Sequence, residues 1–360
     1  MSQFAQSADS MTSLERMRAF RAGQPYDRIP CSAMLSEHAA LVLGVTATEY
    51  SHSASLMARG QIAAWRLYGH DGVAVGPTLP GFAEAAGSKL AFPEASNPYV
   101  AEPAIKQPAD IERLPQVDPR RSGRFPLFLE ALAQLVHDVG AEVPVSAGLG
   151  GPFTTAANLR GTEHFLRDIT RDPDFARRLL DYSLGIMLDF VRVAAELPIG
   201  FNLADPVSSG TMVSSKVYRE LALPYQQRLI SEIIALTGRP PVLHICGNTR
   251  RIWPEMAATG AGMLSLDDVI DLEEAKAAVG DRIVLSGNVR PTASMYLGTP
   301  QTVEENVKEC LRKAWDTPKG FMLSTGCGLP VNSPPNNVHA LVNAARIYGR
   351  YPLDPARFAA

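Results

Sequence analysis

A histidine and a cysteine two positions apart, His244 and Cys246, are the residues whose types and spacing most directly suggest chemistry. They stand in a mostly apolar run, Pro241–Cys246, which predicts a β-strand that ends just before Gly247. Because alternate residues of a strand face the same side, the imidazole and the thiol are expected to project together. An imidazole nitrogen and a thiolate side by side form half of a tetrahedral zinc site.

Cys327 is the candidate for the third ligand of this site. It stands between two glycines directly after another predicted strand, Gly320–Thr325, and the glycines would let the backbone approach a bound ion. A lone strand histidine is more often a satisfied core residue, and cysteine is among the most buried residue types. Three such residues at the carboxyl ends of strands nevertheless favour a zinc site formed by His244, Cys246 and Cys327.

The ligand set indicates the kind of reaction. Three protein ligands with a free fourth position are typical of catalytic zinc, whereas sites closed by four cysteines are structural. Two thiolates and one neutral imidazole leave the complex formally neutral, which suits the binding of a substrate thiol as its thiolate. Hydrolytic zinc usually has three histidines, or two histidines and a carboxylate. The ligands therefore favour methyl or alkyl transfer to sulfur over hydrolysis.

These motifs and others around them resemble a known family. Along the chain stand Gly150–Thr154, Asp205-Pro206, Ser209, Met212, Tyr218, Pro224-Tyr225, His244-x-Cys246-Gly247-Asn248, Gly287-Asn288-Val289 and Gly326-Cys327-Gly328. Over roughly residues 14–350, this pattern resembles the uroporphyrinogen decarboxylase superfamily. Within it, the His-x-Cys…Cys pattern is similar to the corrinoid-dependent methyltransferase branch, which includes methylcobalamin:coenzyme M methyltransferases. The resemblance implies a barrel, a zinc ion, and methyl transfer between a corrinoid and a small acceptor or donor, such as a thiol, tetrahydrofolate or a methoxylated compound.

The corrinoid is expected to come from outside this chain. Corrinoid proteins use an Asp-x-His-x-x-Gly motif to supply a lower histidine ligand to cobalt, and this sequence lacks that motif. The expected partner is therefore a separate corrinoid protein or free methylcobalamin, and the direction of transfer stays open.

Decarboxylation of a tetrapyrrole is the alternative within the same superfamily. Its decarboxylases carry an Arg-Gln-Ala-Gly-Arg stretch after the first strand and an essential Asp after the second. Here those places read Met34–His38 and Gly76-Pro77-Thr78, which offer little positive charge to the carboxylates of a porphyrin. A third possibility is a non-catalytic zinc protein that binds a corrinoid partner.

Further residues at predicted strand ends are candidates for catalysis or substrate binding. Asp205 ends the fourth strand and Asn288 the seventh, and both are predicted to be catalytic and to bind substrate. For Asp205, a helix-capping role is an equal alternative. Glu37 and His38 end the first strand and are expected to contact substrate or to supply a fourth zinc ligand.

Two carboxylates, Asp267 and Asp268, follow the sixth predicted strand. They could orient His244 through its second ring nitrogen, or they could simply begin a helix. The other two cysteines, Cys31 and Cys310, stand among apolar and helical residues and are expected in the core.

Eight short apolar runs alternate with helical patterns along the chain, which favours a single (β/α)8 TIM-type barrel over an open sheet. The only glycine cluster after a strand, Gly148–Pro152, lacks the G-x-G-x-x-G spacing of a dinucleotide site. In an eight-stranded ring the fifth and eighth strands are not neighbours, so the loop that carries Cys327 must lean inward. The strands are predicted at Ile29–Leu35, Gly72–Val75, Val143–Gly148, Gly200–Ala204, Pro241–Cys246, Gly262–Leu266, Arg282–Gly287 and Gly320–Thr325.

The boundaries of the barrel follow from the flanking patterns. Residues 1–13 are predicted to be disordered, and residues 14–356 to form the barrel. Thr12 and Glu15 have the spacing of a capping box and predict an N-terminal helical extension that runs to about Arg21. The Pro-rich segment 77–126 is expected to be a long loop with a short helix that covers one side of the barrel.

Composition and charge exclude several classes of protein. A net charge of −3 over 360 residues offers no basic footprint for nucleic acid. The apolar runs are far shorter than the roughly 20 residues that cross a bilayer, and the N-terminus has no apolar signal segment. Four cysteines are too few for a disulfide framework. A cytoplasmic enzyme is the expectation, and the sequence leaves its oligomeric state open.

Overall fold

Eight parallel strands form one curled sheet in the computed structural model, which describes residues 9–94 and 96–359. Along the sheet the order is β1, β10, β9, β8, β7, β6, β5, β2, so that neighbours in space are mostly neighbours in sequence. Helices separate successive strands, which gives an α/β fold of the TIM type. The strands are β1 (Cys31–Ser32), β2 (Val73–Thr78), β5 (Val145–Gly150), β6 (Gly200–Ala204), β7 (Val242–Ile245), β8 (Met263–Leu266), β9 (Val284–Val289) and β10 (Phe321–Thr325).

Each of the eight predicted strands overlaps one of these, but the first is much shorter than expected. β1 pairs with β10 over two residues only. The flanking backbone bonds elsewhere, because Ile29 N–H donates to the Gly349 carbonyl (2.7 Å) and Leu329 N–H donates to the Met34 carbonyl (2.8 Å). The N–H of Asp71, just before β2, donates to the carbonyl of Cys31 in β1 at 2.8 Å. This bond joins the segment before β2 to β1.

The helices surround the sheet and bury its outer face. Leu203, Leu243, Leu264 and Leu285 lie in register on four neighbouring strands and are almost completely buried. The helices are α1 (Ser13–Arg21), α2 (His38–Leu43), α3 (Ala47–Ser51), α4 (Ala54–Tyr68), α5 (Gly81–Ala85), α6 (Phe125–Val139), α7 (Pro152–Arg160), α8 (Thr162–Arg171), α9 (Pro173–Ala194), α10 (Ser215–Val217), α11 (Leu223–Thr237), α12 (Trp253–Ala257), α13 (Leu272–Val279), α14 (Pro300–Ala314) and α15 (Pro335–Tyr348). Within the described residues, no helix combines the length and the apolar character that a membrane crossing requires.

The first helix begins as its capping box predicts. Thr12 Oγ1 accepts a hydrogen bond from Glu15 N–H, and the Glu15 carboxylate accepts one from Thr12 N–H. These two hydrogen bonds satisfy backbone N–H groups that have no partner within the helix at its start.

A buried charge cluster lies at the amino-terminal end of the strands. Arg16 and Arg28, each at most 2% exposed, bind the carboxylate of Asp71 at 2.6 and 2.7 Å. Asp27 pairs with Arg16 at 2.6 Å, and Asp9 pairs with Arg28 at 2.9 Å. The cluster therefore connects the start of the chain to the amino-terminal end of the strands.

The prediction of disorder over residues 1–13 falls partly on residues 1–8, which lie outside the described part of the chain. From Asp9 onward the structure differs from that prediction, because the ion pair with Arg28 and the capping box at Thr12 hold the segment in place.

The segment 77–126 has more structure than the predicted loop. Besides the short helix α5 it contains an antiparallel pair, β3 (Lys89–Ala91) and β4 (Tyr99–Glu102). A cation also anchors it, since Arg124 binds Glu84 at 2.9 Å and lies over the ring of Phe92 at 4.7 Å. Pairing of this kind depends on contacts between distant residues and has a weak signal in a Pro-rich sequence.

Candidate metal centre

His244 and Cys246 lie at the carboxyl end of β7. Because alternate residues of a strand face the same side, both side chains project to one side. His244 Nε2 lies 3.0 Å from Cys246 Sγ. The second ring nitrogen, Nδ1, lies 3.1 Å from the Ser265 carbonyl oxygen and 3.1 Å from Ser265 Oγ. If Nδ1 carries the proton and donates to the carbonyl, the lone pair of Nε2 is directed toward the thiols.

Cys327 reaches this pair from the loop after β10. Its Sγ lies 3.6 Å from Cys246 Sγ, although β10 is separated from β7 by two strands. The preceding residue, Gly326, makes the approach possible, because an added Cβ there would lie 2.6 Å from the backbone nitrogen of Asp268. The inward lean expected of this loop is therefore present, and a residue without a side chain allows it.

The three side chains fit a zinc ion. One ligand atom from each of His244, Cys246 and Cys327 lies within 4.8 Å of the others. Two sulfurs bound to one zinc at ~2.3 Å with a tetrahedral angle would lie about 3.8 Å apart. The observed Sγ–Sγ distance of 3.6 Å is close to that value. Within the described residues, these three form the only group of this kind.

The two thiols are electrostatically unlike. A hydrogen bond from the Cys246 thiol, assisted by His244, lowers the pKa of Cys327 to about 4. The same hydrogen bond, together with burial, raises the pKa of Cys246. A cation placed between the sulfurs would displace the remaining thiol proton, because metals bind the thiolate form.

Two carboxylates adjoin the centre, but neither orients His244 as the sequence suggested. Asp267 Oδ2 accepts a hydrogen bond from Gly247 N–H at 2.7 Å, and its Oδ1 accepts one from Val269 N–H at 3.1 Å. The orienting partner of His244 is Ser265, which sequence reasoning missed. The strand register indicates this partner, because Ser265 lies directly beside His244 on the neighbouring strand β8.

Asp268, next in the chain, packs against Gly326, the residue before Cys327. Partial burial and the negative charges of Asp267 and Cys327 raise the pKa of its carboxyl group. The helix that follows is capped by Asp271, whose Oδ1 accepts from Glu273 N–H and Glu274 N–H. The residue that begins this helix is therefore Asp271, and Asp268 does not cap it.

Asp205, predicted to be catalytic and to bind substrate, is fully buried. Its Oδ1 accepts a hydrogen bond from Thr154 N–H at 2.7 Å, and its Oδ2 accepts one from Gln226 Nε2 at 2.8 Å. Gly151 packs so closely against it that an added Cβ would lie 2.2 Å from the Asp205 carboxyl carbon. This side chain fastens the first turn of α7, which supports a positioning role, and its catalytic and substrate-binding roles stay predictions.

Asn288, the second residue predicted to be catalytic and to bind substrate, is also buried, with 7% of its surface exposed. Its Nδ2 donates to the Asp267 carbonyl at 3.0 Å and to the Ile270 carbonyl at 2.7 Å. The amide therefore holds the loop after β8, which carries both acidic residues of the centre. Its amide nitrogen serves that loop, which supports a positioning role, and the catalytic role and substrate contact of Asn288 stay predictions.

His38 is withdrawn from the centre by its own hydrogen bonds. It is fully buried, its Nδ1 lies 2.9 Å from the Val331 carbonyl, and its Nε2 lies 3.0 Å from Tyr68 Oη. Both ring nitrogens are thus engaged in hydrogen bonds, and a contact of His38 with zinc or substrate stays a prediction. Glu37 precedes α2, and burial raises the pKa of its carboxyl group. A substrate contact by Glu37 stays a prediction.

The fold and the site together define a class: an α/β protein of the TIM type with two thiols and an imidazole gathered where the parallel strands end. Comparison with known proteins agrees with that description. The chain belongs to the uroporphyrinogen decarboxylase family, whose model, described as uroporphyrinogen decarboxylase (URO-D), matches residues 12–348.

Methyltransferases of this family are similar to the chain. A methylated-thiol–coenzyme M methyltransferase of Methanosarcina mazei is 29% identical over 269 residues, which are 73% of this chain and 69% of the relative. The methylcobamide:CoM methyltransferase MtbA of Methanosarcina acetivorans is 31% identical over 252 residues, which are 70% of this chain and 72% of the relative. A solved structure of a methyltransferase from Methanosarcina mazei superposes with a TM-score of 0.84 at 27% identity and covers 93% of this chain and 98% of its own. Uroporphyrinogen decarboxylases match at 27%, 28% and 26% identity. The prediction of a methyltransferase from this family is confirmed.

Proposed function

We propose that this protein is a zinc-dependent enzyme that transfers a methyl group between a corrinoid and a small thiol. The observation that carries the proposal is the cluster of His244 Nε2, Cys246 Sγ and Cys327 Sγ at distances that suit one zinc ion. When bound, zinc supplies a Lewis acid that lowers the pKa of a thiol ligand and keeps its sulfur nucleophilic.

The residues around the cluster prepare it for that task. Ser265 fixes the ring of His244, Asp267 holds the backbone at Gly247 next to Cys246, and Gly326 lets the loop of Cys327 close on the other two ligands. Three protein ligands leave one position of a tetrahedron for a substrate sulfur. A substrate thiol that the metal would hold as its thiolate would need no general base from the protein, so that no histidine–carboxylate pair would be required at the centre.

The methyl group is transferred formally as a methyl cation. The bond between cobalt and the methyl carbon breaks and leaves its electron pair on cobalt, so that a Co(III) corrinoid becomes Co(I). A carbon–sulfur bond forms to the acceptor thiolate, and the thiol proton passes to solvent. The printed names of the similar methyltransferases specify methylcobamide and coenzyme M, which supports a corrinoid and a thiol as the two substrates here.

The partner and the extent of the catalytic unit are part of the proposal. The corrinoid is supplied by a separate corrinoid protein or as free methylcobalamin. Residues 14–356 form a closed (β/α)8 barrel with α1 as its N-terminal helical extension, and the enzyme works in the cytoplasm. A methylated or methoxylated compound as the donor, or tetrahydrofolate as the acceptor, remains compatible with the same centre.

Decarboxylation of a tetrapyrrole is the weaker candidate. The end of β2 carries Gly76 where the decarboxylase pattern has an acidic residue, and a Cβ at Gly76 would lie 2.4 Å from the Gly148 carbonyl. A larger side chain is therefore excluded sterically at this position.

Metal analysis followed by a methyl-transfer assay tests the proposed function. Protein purified without chelator should hold about one zinc per chain. Cys246→Ala and Cys327→Ala should remove most of it, whereas Cys31→Ala, which deletes a fully buried thiol in β1, should retain it. Wild-type protein should demethylate methylcobalamin under anaerobic conditions in the presence of a thiol, and the corrinoid spectrum reports the Co(I) product. Full zinc content in the Cys246→Ala/Cys327→Ala protein, or no demethylation with any thiol, would overturn the proposal.

A further inference from the structure

The four cysteines of the chain fall into two pairs with different surroundings. Cys31 and Cys310 are 0% and 2% exposed, and burial raises the pKa of each thiol to about 12. Cys246 and Cys327 are half-buried and lie in the loops that follow β7 and β10. A small oxidant in solvent therefore has access to the thiols of the metal centre and little access to the other two.

The two accessible sulfurs are close enough to react with each other. Cys246 Sγ lies 3.6 Å from Cys327 Sγ, whereas the sulfurs of a disulfide are ~2.05 Å apart. The gap to be closed is thus about 1.5 Å. Rotation about χ1 of one cysteine can supply a displacement of this size without a change in the backbone.

The loop around Cys327 has free space on one side. Gly326, the residue before it, is held against the loop after β8, since an added Cβ would lie 2.6 Å from the backbone nitrogen of Asp268. Gly328, the residue after it, is different, because no atom of the described residues other than its chain neighbours lies within 4 Å of an added Cβ. Cys327 can therefore adjust toward Cys246 while the packing of Gly326 stays as it is.

Zinc binding and disulfide formation exclude each other, because they use the same two sulfurs. Zinc binds cysteine as the thiolate, whereas a disulfide sulfur carries no negative charge. Oxidation removes two of the three ligands and leaves the imidazole of His244 as a single ligand. That ring stays in place, because its Nδ1 lies 3.1 Å from the Ser265 carbonyl oxygen. The site can therefore bind zinc again once the sulfurs are reduced.

We propose that Cys246 and Cys327 form a reversible redox switch, in which hydrogen peroxide oxidises the two ligands to a disulfide and zinc is released. This inference rests on the proposed function, because it concerns the regulation of the same centre. One sulfur attacks the peroxide, the O–O bond breaks, and a sulfenic acid and one water form. The other sulfur then attacks the sulfenic sulfur, the S–O bond breaks, and the disulfide and a second water form.

The two steps balance. The sulfurs together lose two electrons, which reduce the O–O bond of the peroxide to two waters. The two protons that complete the waters come from the thiols of the metal-free protein, or from solvent where zinc held the thiolates. A dithiol such as dithiothreitol reverses the change by thiol–disulfide exchange.

The test adds a stoichiometric amount of hydrogen peroxide to zinc-loaded and to metal-free protein at pH 7, with untreated protein as the blank. Zinc is measured with a chromogenic chelator, thiols are counted in denaturant, and joined peptides are identified by mass spectrometry. Two of the four thiols should disappear, and the joined peptides should carry Cys246 and Cys327. The zinc content should fall at least roughly 10-fold. Dithiothreitol followed by zinc should restore the thiols, the metal and the demethylation of methylcobalamin.

The stability of the oxidised protein distinguishes a switch from oxidative damage. The disulfide would join residues 81 positions apart, and a cross-link of this length restricts the unfolded chain. The oxidised protein should therefore unfold at no lower urea concentration than the reduced, metal-free protein.

Two variants identify the reacting sulfurs. Cys327→Ser cannot form the disulfide, so peroxide should add oxygen to Cys246 without joining two peptides. Cys310→Ser is the matched control, because it replaces a buried thiol that donates to Asn288 Oδ1 with a hydroxyl that can donate in the same way. It should form the same disulfide as the wild type. The peptide map of the wild-type protein decides the matter even where a variant does not fold.

The outcomes separate this inference from the proposed function. Oxidation of the two cysteines to sulfinic or sulfonic acid without joined peptides would overturn the switch while the methyl transfer stands. Full zinc content after the sulfurs are joined, or zinc that does not return after reduction, would overturn it as well. Freshly reduced protein that binds no zinc would overturn the proposed function, and the release step with it.

Discussion

Asp205 provides the sharpest test of whether a residue at this site acts on the substrate or on the fold. Its carboxylate is fully buried and accepts hydrogen bonds from Thr154 N–H (2.7 Å) and Gln226 Nε2 (2.8 Å). Asp205→Ala removes the acceptor of both buried donors and leaves Gln226 Nε2 only its longer bond to Ser208 Oγ at 3.3 Å. Each lost bond costs about 1–3 kcal/mol, so the free energy of unfolding should fall by roughly 2–6 kcal/mol.

The amide variant Asp205→Asn should cost less. Its amide oxygen can still accept a hydrogen bond from Thr154 N–H. Its amide nitrogen is a donor that faces the donor Nε2 of Gln226, so one hydrogen bond is lost and the free energy of unfolding falls by about 1–3 kcal/mol. The lower half of that range is expected, because burial raises the pKa of Asp205 and the neutral amide avoids burying a charge. The Gln226 amide can also turn, at the expense of its bond from Tyr218 Oη at 2.8 Å.

Urea unfolding at pH 7 and methylcobalamin demethylation, measured on the same preparations, decide the matter. A positioning residue should lower stability in both variants and leave zinc content and kcat of the folded Asp205→Asn protein within about 10-fold of wild type. An Asp205→Asn protein that unfolds like wild type but has lost turnover by more than about 100-fold would refute this reasoning and restore the catalytic role.

Three further outcomes follow from the structure. Removal of metal by a chelator should leave the far-ultraviolet circular dichroism and a cooperative thermal transition intact, because the centre lies at the strand ends outside the core; loss of the fold would instead indicate structural zinc. Asp71→Ala should lower the free energy of unfolding by about 3–5 kcal/mol, because it removes the fully buried carboxylate that Arg16 and Arg28 share and leaves them only Asp27 and Asp9. Asp181→Ala, which deletes only an exposed pair with Arg228, is the matched control and should change it by no more than about 1 kcal/mol. Burial raises the pKa of Asp27, but Arg16 outweighs it and the net pKa lies below 3.8. Its stabilisation is thus present above about pH 3.8 and lost as pH falls through the lower folded value. Asp27→Asn should therefore weaken the protein at pH 7 and have little effect near pH 2 in denaturant titrations, and an equal loss at both would contradict this linkage.

The fold and the clustering of His244, Cys246 and Cys327 could be predicted from the sequence because both depend on periodicity. The eight apolar runs mark the strands to within a few residues, and the spacing of His244 and Cys246 places two ligand atoms on one face of β7. Cys327 followed from its position after a strand, since the carboxyl ends of parallel strands meet at one edge. These inferences need only local pattern and the direction of the strands.

The roles of the remaining polar residues could not be predicted, because they depend on which distant group a side chain meets. The position of Asp205 after a strand suits a substrate-binding residue and a buried anchor equally. Its donors lie 51 and 21 residues away in the chain. His38 likewise follows a strand, and only the folded chain brings Tyr68 and Val331 against its two nitrogens.

Residues that hold the loop after β8 bear on the chemistry, because they determine where Cys327 lies. Asn288 holds the backbone from Asp267 to Ile270 through two carbonyl bonds, and Gly326 packs on Asp268 within that same segment. The position of Cys327 relative to Cys246 therefore depends on the loop after β8, although no metal ligand belongs to that loop. A centre whose ligands come from strands that do not touch needs such an intermediary. The sequence shows the intermediary only as a polar residue at a strand end, which is the pattern that a catalytic residue would also produce.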